Sequence, residues 1–281
     1  MRPHKLYFGL GLAAAVCLTI IFISCSSNTV SDYDAGMPND PGFLAIQSEL
    51  TNYLDSTMSF VNNGLSNIQR QPGDTNDVLQ YGPTPGDSII ASYVYENGWH
   101  IVSWWRSYAI GIRTAFKDSV QFLDSVGQPQ QESDNLASLV FKRNWEFDML
   151  DTSVTHTDLS GHVDITFDGI NTGTATINGT HNFAASHKTV TPDSTVWKNF
   201  SVDGRVTNLT IVETSVGWNQ NCPVSGHISS TVSFTYLKDN GTPVTTVWDI
   251  SIVFHNGRET VMVVRGNTAW TFSRQVCNAP H

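Results

Sequence analysis

The 281-residue chain is 40% hydrophobic, only 14% charged, and carries a formal net charge of −10. Charge is scarce against a typical share of about 25%, so the polar surface has to come from Ser, Thr, Asn and Gly. No basic run follows the first five residues, which excludes a nucleic-acid partner held by displaced counterions, and the length gives one large domain or two small ones a sizeable core.

Arg2, His4 and Lys5 form a short basic region, and Leu6 to Ile23 is apolar apart from Thr19. Ile21-Phe22-Ile23-Ser24-Cys25 closes it. This arrangement reads as a secretory signal over residues 1–24, and its end resembles the lipobox of bacterial lipoproteins, with Phe22 where Leu is usual. The resemblance covers the first 25 residues. It implies diacylglyceryl attachment at Cys25, cleavage before it, and a membrane partner held through that lipid. Ser26, in place of Asp, implies export to the outer membrane. The other reading of the apolar run is an uncleaved membrane helix.

Cys17 lies in the apolar run and Cys25 would carry lipid, which leaves Cys222 and Cys277. An even pair in an oxidising compartment predicts a disulfide. It would close a loop of about 55 residues and contribute roughly 3 to 4.5 kcal/mol on a chain-entropy account. Two free buried thiols are the alternative.

Residues 25–40 are polar and rich in turn formers and read as a flexible tether. Asp40-Pro41 suits a helix start. Phe43, Ile46, Leu50, Leu54, Met58, Val61, Leu65 and Ile68 then recur every three or four residues, predicting an amphipathic helix over about 41–70. Its polar face lacks the Lys and Arg of a membrane-surface helix, so the stripe is expected to pack on a sheet.

From about residue 90 to 276 the chain reads as β. Asn97-Gly98 between Tyr93–Tyr95 and Trp99–Trp104 predicts a hairpin. Trp105 to Ile112 continues the strand, Phe116 to Leu123 fits a strand or a short helix, and Leu139 to Leu150 reads as strand. Residues 152 to 276 hold 22 Thr, whose branched side chains suit a pleated surface. Turn signals at Asp168-Gly169, Asn178-Gly179, Asp203-Gly204, Asn240-Gly241 and Asn256-Gly257 divide this stretch into about eight strands.

Ser-Gly-His occurs at Ser160 and again at Ser225, each time heading an alternating strand pattern. His162, Asp164 and Thr166 share one face, as do His227, Ser229, Thr231 and Ser233. Asp203-Gly204-Arg205-Val206 is a looser version. The recurrence reads as a glycine relieving the bend at a strand start, with His on the wet face. His162, Asp164 and His227 would make a plausible metal shell if the two strands were neighbours in register, but no dense ligand motif accompanies them, and no cofactor is expected.

Gly86-Asp87-Ser88 resembles the nucleophile motif of one lipolytic family. A loop precedes the serine, however, and the C-terminal region lacks the partner Asp-x-x-His. Glu146 and Asp148 would share a strand face beside Asp151 and read as solvent-facing charge. The rings of Trp99, Trp104, Trp105, Tyr108, Trp145, Trp197, Trp218, Trp248 and Trp270 are many for one domain; most are expected in the core, and the alternative reading has a few of them lining a cleft for glycan or lipid.

The expected fold is α+β and mainly β: an N-terminal amphipathic helix packed on a large antiparallel sheet or half-barrel, as one domain over 41–281. The layout is similar in architecture to the envelope lipid carriers. The expected function is a non-enzymatic envelope lipoprotein with a ligand-binding or structural role, partnered by a hydrophobic small molecule or an envelope protein. A carrier or sensor of a hydrophobic ligand and a hydrolase with an unrecognised site are the alternatives.

Overall fold

A computed structural model describes residues 88–107, 112–132, 135–151, 155–191, 194–213, 223–237 and 241–275. The expected helix over 41–70, the tether, Cys25, Cys222 and Cys277 lie outside the described residues.

Among the described residues twelve antiparallel strands form one sheet: β1 (Ser88–Glu96), β2 (Trp99–Ser107), β3 (Ile112–Leu123), β4 (Pro129–Gln130), β5 (Ser138–Asp151), β6 (Thr155–Asp168), β7 (Thr174–Thr191), β8 (Ser194–Val212), β9 (Ser225–Leu237), β10 (Pro243–His255), β11 (Arg258–Arg265) and β12 (Thr268–Gln275). Each strand pairs with the next in the chain, except that short β4 caps β3 and β5 takes its place beside β3. Among the described residues only Ile170–Thr172, a 3-10 turn, is helical. Phe116 to Leu123 therefore resolves as strand, and the described residues of the stretch expected to hold about eight strands form seven, β6 to β12.

Two of the five turn signals expected to divide this stretch sit inside strands instead. Asn178-Gly179 is a bulge in β7, where the register to β8 shifts between Ile177 and Gly179. A Cβ on Gly179 would overlap Asp164 O, so the backbones meet closely there. Asp203-Gly204 lies in mid-β8. The true hairpin turns, Asn97-Gly98 (φ 51 and 81) and Asn256-Gly257 (φ 49 and 75), have the paired positive φ of the type I′ turn that matches strand twist.

Side chains alternate so that one face is apolar. Trp248, Ile250, Ile252 and Phe254 on β10 are buried, as the alternation predicts. One core cluster runs from Val120 on β3 to Phe272 on β12. A twisted meander of this width curls towards its apolar face.

The two ends of the sheet differ. At one end successive connections are stitched by backbone hydrogen bonds: Ala137 N to Leu123 O (2.9 Å), Gly169 N to Ala137 O (3.1 Å), Glu213 N to Gly173 O (2.8 Å), Val224 N to Thr210 O (2.8 Å) and Asn256 N to Val224 O (2.9 Å). Directly beneath, Phe122, Leu139, Phe167, Ile177 and Leu209 form one row of cross-strand neighbours, all at 0–1% exposure. This stitched end is filled. The opposite end is not packed to the same degree.

Candidate ligand-binding end of the sheet

At the opposite end the buried face is lined by rings. Trp104 stacks on Phe116 (centroids 4.6 Å), Trp145 on Phe183 (5.5 Å), and Phe183 meets Phe200 edge-on (5.8 Å). Phe234 stacks on Tyr236 at 5.7 Å. Phe183, Phe200, Phe234 and Trp270 are only partly buried against the core. The ladder has a local cause in Gly161. A Cβ there would overlap Trp145 Nε1, so the glycine makes room for the indole between β5 and β7. Among the described residues, Trp145 Nε1 and Thr114 Oγ1 are buried at this end without a hydrogen-bond partner.

Beyond the rings lies a polar rim. His187 is held between Thr157 Oγ1 (3.0 Å to Nδ1) and Thr189 Oγ1 (2.9 Å to Nε2). Burial, and then the charge of Lys198 directly opposite on β8, lowers its pKa, so the ring is neutral. Lys198 itself is exposed and is paired in register with Lys-facing Tyr236 on β9. The end thus offers a half-covered apolar wall with a cation at its lip.

Further along the same face, two polar devices cross the sheet. Arg143 on β5 makes a two-pronged contact with Asp118 on β3, Nε to Oδ1 at 2.7 Å and Nη2 to Oδ2 at 2.6 Å. Its guanidinium also lies over Phe116 (5.6 Å) and Phe141 (5.4 Å). Burial works to lower the Arg143 pKa, but the charge and hydrogen bonds of Asp118 outweigh it and raise it. Next, His181 on β7 faces Gly204 on β8, which faces Ser230 on β9. A Cβ on Gly204 would overlap His181 Nε2 and stand 2.9 Å from Ser230 Oγ. The glycine is the space the imidazole fills. Burial pushes the His181 pKa down to about 4, so this ring is neutral as well. His181 and Ser230 are 4% and 6% exposed, and both also border a cleft of about 510 Å³ that runs from Thr180 on β7 to Met262 on β11.

The residues singled out in the sequence lie elsewhere, on the wet face. β6 and β9 have β7 and β8 between them, so the Ser-Gly-His strands are not neighbours. His162 Nδ1 bonds Asn144 Oδ1 at 2.8 Å, Asp164 pairs with Lys142 Nζ at 2.9 Å, and His227 Nε2 meets Ser251 Oγ at 2.8 Å. At about 4.8 Å per strand, three strand spacings separate His227 from the other two, too far for one ion. Among the described residues no group of three or more His, Cys, Asp or Glu is placed to hold a metal. The shared motif also differs in setting. Gly161 is in mid-β6 under Trp145, whereas Gly226, second in β9, packs on Leu209 of the neighbouring bulge. Ser88 opens β1, and Glu146 faces Ser160 across β5 and β6 on the outer face.

Sequence reasoning passed over Arg143, Asp118 and His181. The one available signal was phase: Phe141, Arg143 and Trp145 alternate on a single face, so Arg143 had to share the core with two rings.

Comparison with family models, with curated proteins and with solved structures finds no match for this chain.

Proposed function

We propose that the chain is a non-enzymatic, lipid-anchored envelope protein that binds an apolar ligand with an anionic head at the ring-lined end of its sheet. The observation that carries this reading is the contrast between the ends. One has a cross-strand row at 0–1% exposure under stitched loops, while the other buries Trp145, Phe147 and Leu159 at 3–7% exposure but leaves Phe183, Phe200 and Phe234 partly uncovered below Lys198. Apolar walls with few polar groups are the usual make-up of small-molecule sites. The Trp145 and Thr114 groups add a donor and a hydroxyl with capacity to spare.

The membrane anchor rests on the signal ending in Cys25, and the amphipathic segment over 41–70 supplies a further apolar stripe that the sheet can cover. The reading is tested by native mass spectrometry of residues 26 onward from a periplasmic preparation, followed by titration with oleate. A lipid-sized mass lost on unfolding, and oleate binding weakened about tenfold by Phe234→Ala, are expected. A bare chain that ignores oleate would leave a structural role as the better account.

A further inference from the structure

We infer that the β1 edge is the interface of a two-fold dimer, in which β1 of one copy pairs antiparallel with β1 of a second. Among the described strands β1 pairs only with β2, so it is one edge of the sheet. An edge presents a row of backbone donors and acceptors that another strand satisfies. Natural sheets usually protect such an edge with Lys, Pro, a bulge or brevity. β1 has none of these. It is nine residues, Ser-Ile-Ile-Ala-Ser-Tyr-Val-Tyr-Glu, in unbroken register with β2, and its single charge is the terminal Glu96. Ile90 is 65% exposed and Val94 48%, beside Trp105 of β2 at 37%. No other described strand leaves so much apolar side chain in water.

The occupant is set by the order of these residues. A two-fold axis through Ser92 sets Ile90 opposite Val94 twice on one face. The same register sets Tyr93 opposite Ala91, Tyr95 opposite Ile89, and Glu96 opposite Ser88. Apolar positions meet apolar positions, and the one carboxylate meets a hydroxyl-bearing residue rather than its own copy, as cross-strand pairing favours. The contact is isologous, so it closes at two copies. β12, the other edge, suits this less. Thr268 and Thr271 are exposed along it, and Arg274 would add charge.

A single strand edge buries less than the roughly 1,200 Å² of standard stable interfaces, so dimerisation in the micromolar range is expected. Two copies anchored through Cys25 in one membrane would meet at a far higher effective concentration.

Sedimentation velocity of the full chain over about 1 to 200 µM tests the proposal, a range set by that weak affinity. Dimer is expected to accumulate with concentration. Ser92 is exposed and sits on the axis, so Ser92→Lys alone and Ser92→Asp alone should each weaken the dimer at least tenfold. An equimolar mixture of the two should restore it as a heterodimer. Thr271→Lys on β12 should leave association unchanged. A monomer at every concentration, a Ser92→Lys variant that dimerises like the parent, a mixture that stays monomeric, or association lost only in Thr271→Lys would each overturn the assignment.

Discussion

Three glycines make room for side chains that meet them across the sheet. Gly161 lets Trp145 lie flat over β6, Gly204 admits His181, and Gly98 clears Pro129, whose Cβ would stand 2.5 Å from an added Cβ. His181 makes the most specific demand on conditions. Its folded pKa of about 4 lies below the unfolded value of 6.5, so the fold holds the neutral ring. That stabilisation is fully present above pH 6.5 and is lost as pH falls towards 4, because the unfolded chain takes the proton first. The shift corresponds to about 3 kcal/mol across this window. His100 and His187, whose pKa values burial also lowers, act in the same direction. Urea midpoints measured from pH 7.5 to 4 should therefore fall steeply in the parent and clearly less in His181→Gln. Parallel pH dependences would show that His181 is not the group responsible.

Pairs of strands carry the next layer of specificity. β3 and β5 are held at mid-length by Asp118 and Arg143, whose side chains are 23% and 19% exposed. Removing one partner strands a mostly buried charge, and a broken buried pair costs about 3–5 kcal/mol. Asp118→Ala should lose most of that amount in chemical denaturation. The double variant Asp118→Ala/Arg143→Met, which removes both charges, should recover a good part. If the single variant loses under about 1 kcal/mol, the pair behaves as a surface bridge. β7 and β8, at 18 and 19 residues, show why element boundaries were hard to read. Asn178-Gly179 carries the residue chemistry of a hairpin, yet the strand runs on, with Asn178 Oδ1 accepting from Asn208 N across the bulge at 2.8 Å. The same dipeptide chemistry serves a turn or a bulge, and only the neighbouring strand decides which.

Across the whole molecule the sheet has one packed, stitched end and one ring-lined end. The stitched end also holds the described residues that stand nearest in the chain to the two cysteines expected to pair. Ser225, three residues after Cys222, and Gln275, two before Cys277, stand at the same end of β9 and β12. The intact mass of the exported chain should fall by two hydrogens against its reduced form, and reduction should lower the melting temperature. Two thiols that alkylate freely without reductant would rule the bridge out.

The β class, the Asn97 and Asn256 hairpins and the buried stripe of β10 follow from the sequence by itself, because period-two alternation and φ > 0 turn residues act locally. Hydrophobic periodicity also set which face of each strand is dry. Tertiary structure decided the rest. That His162 and His227 lie three strand spacings apart, that Arg143 meets Asp118, and that Gly204 makes room for His181 all depend on strand order and register. These join residues far apart in the chain, and no local pattern encodes which strands become neighbours.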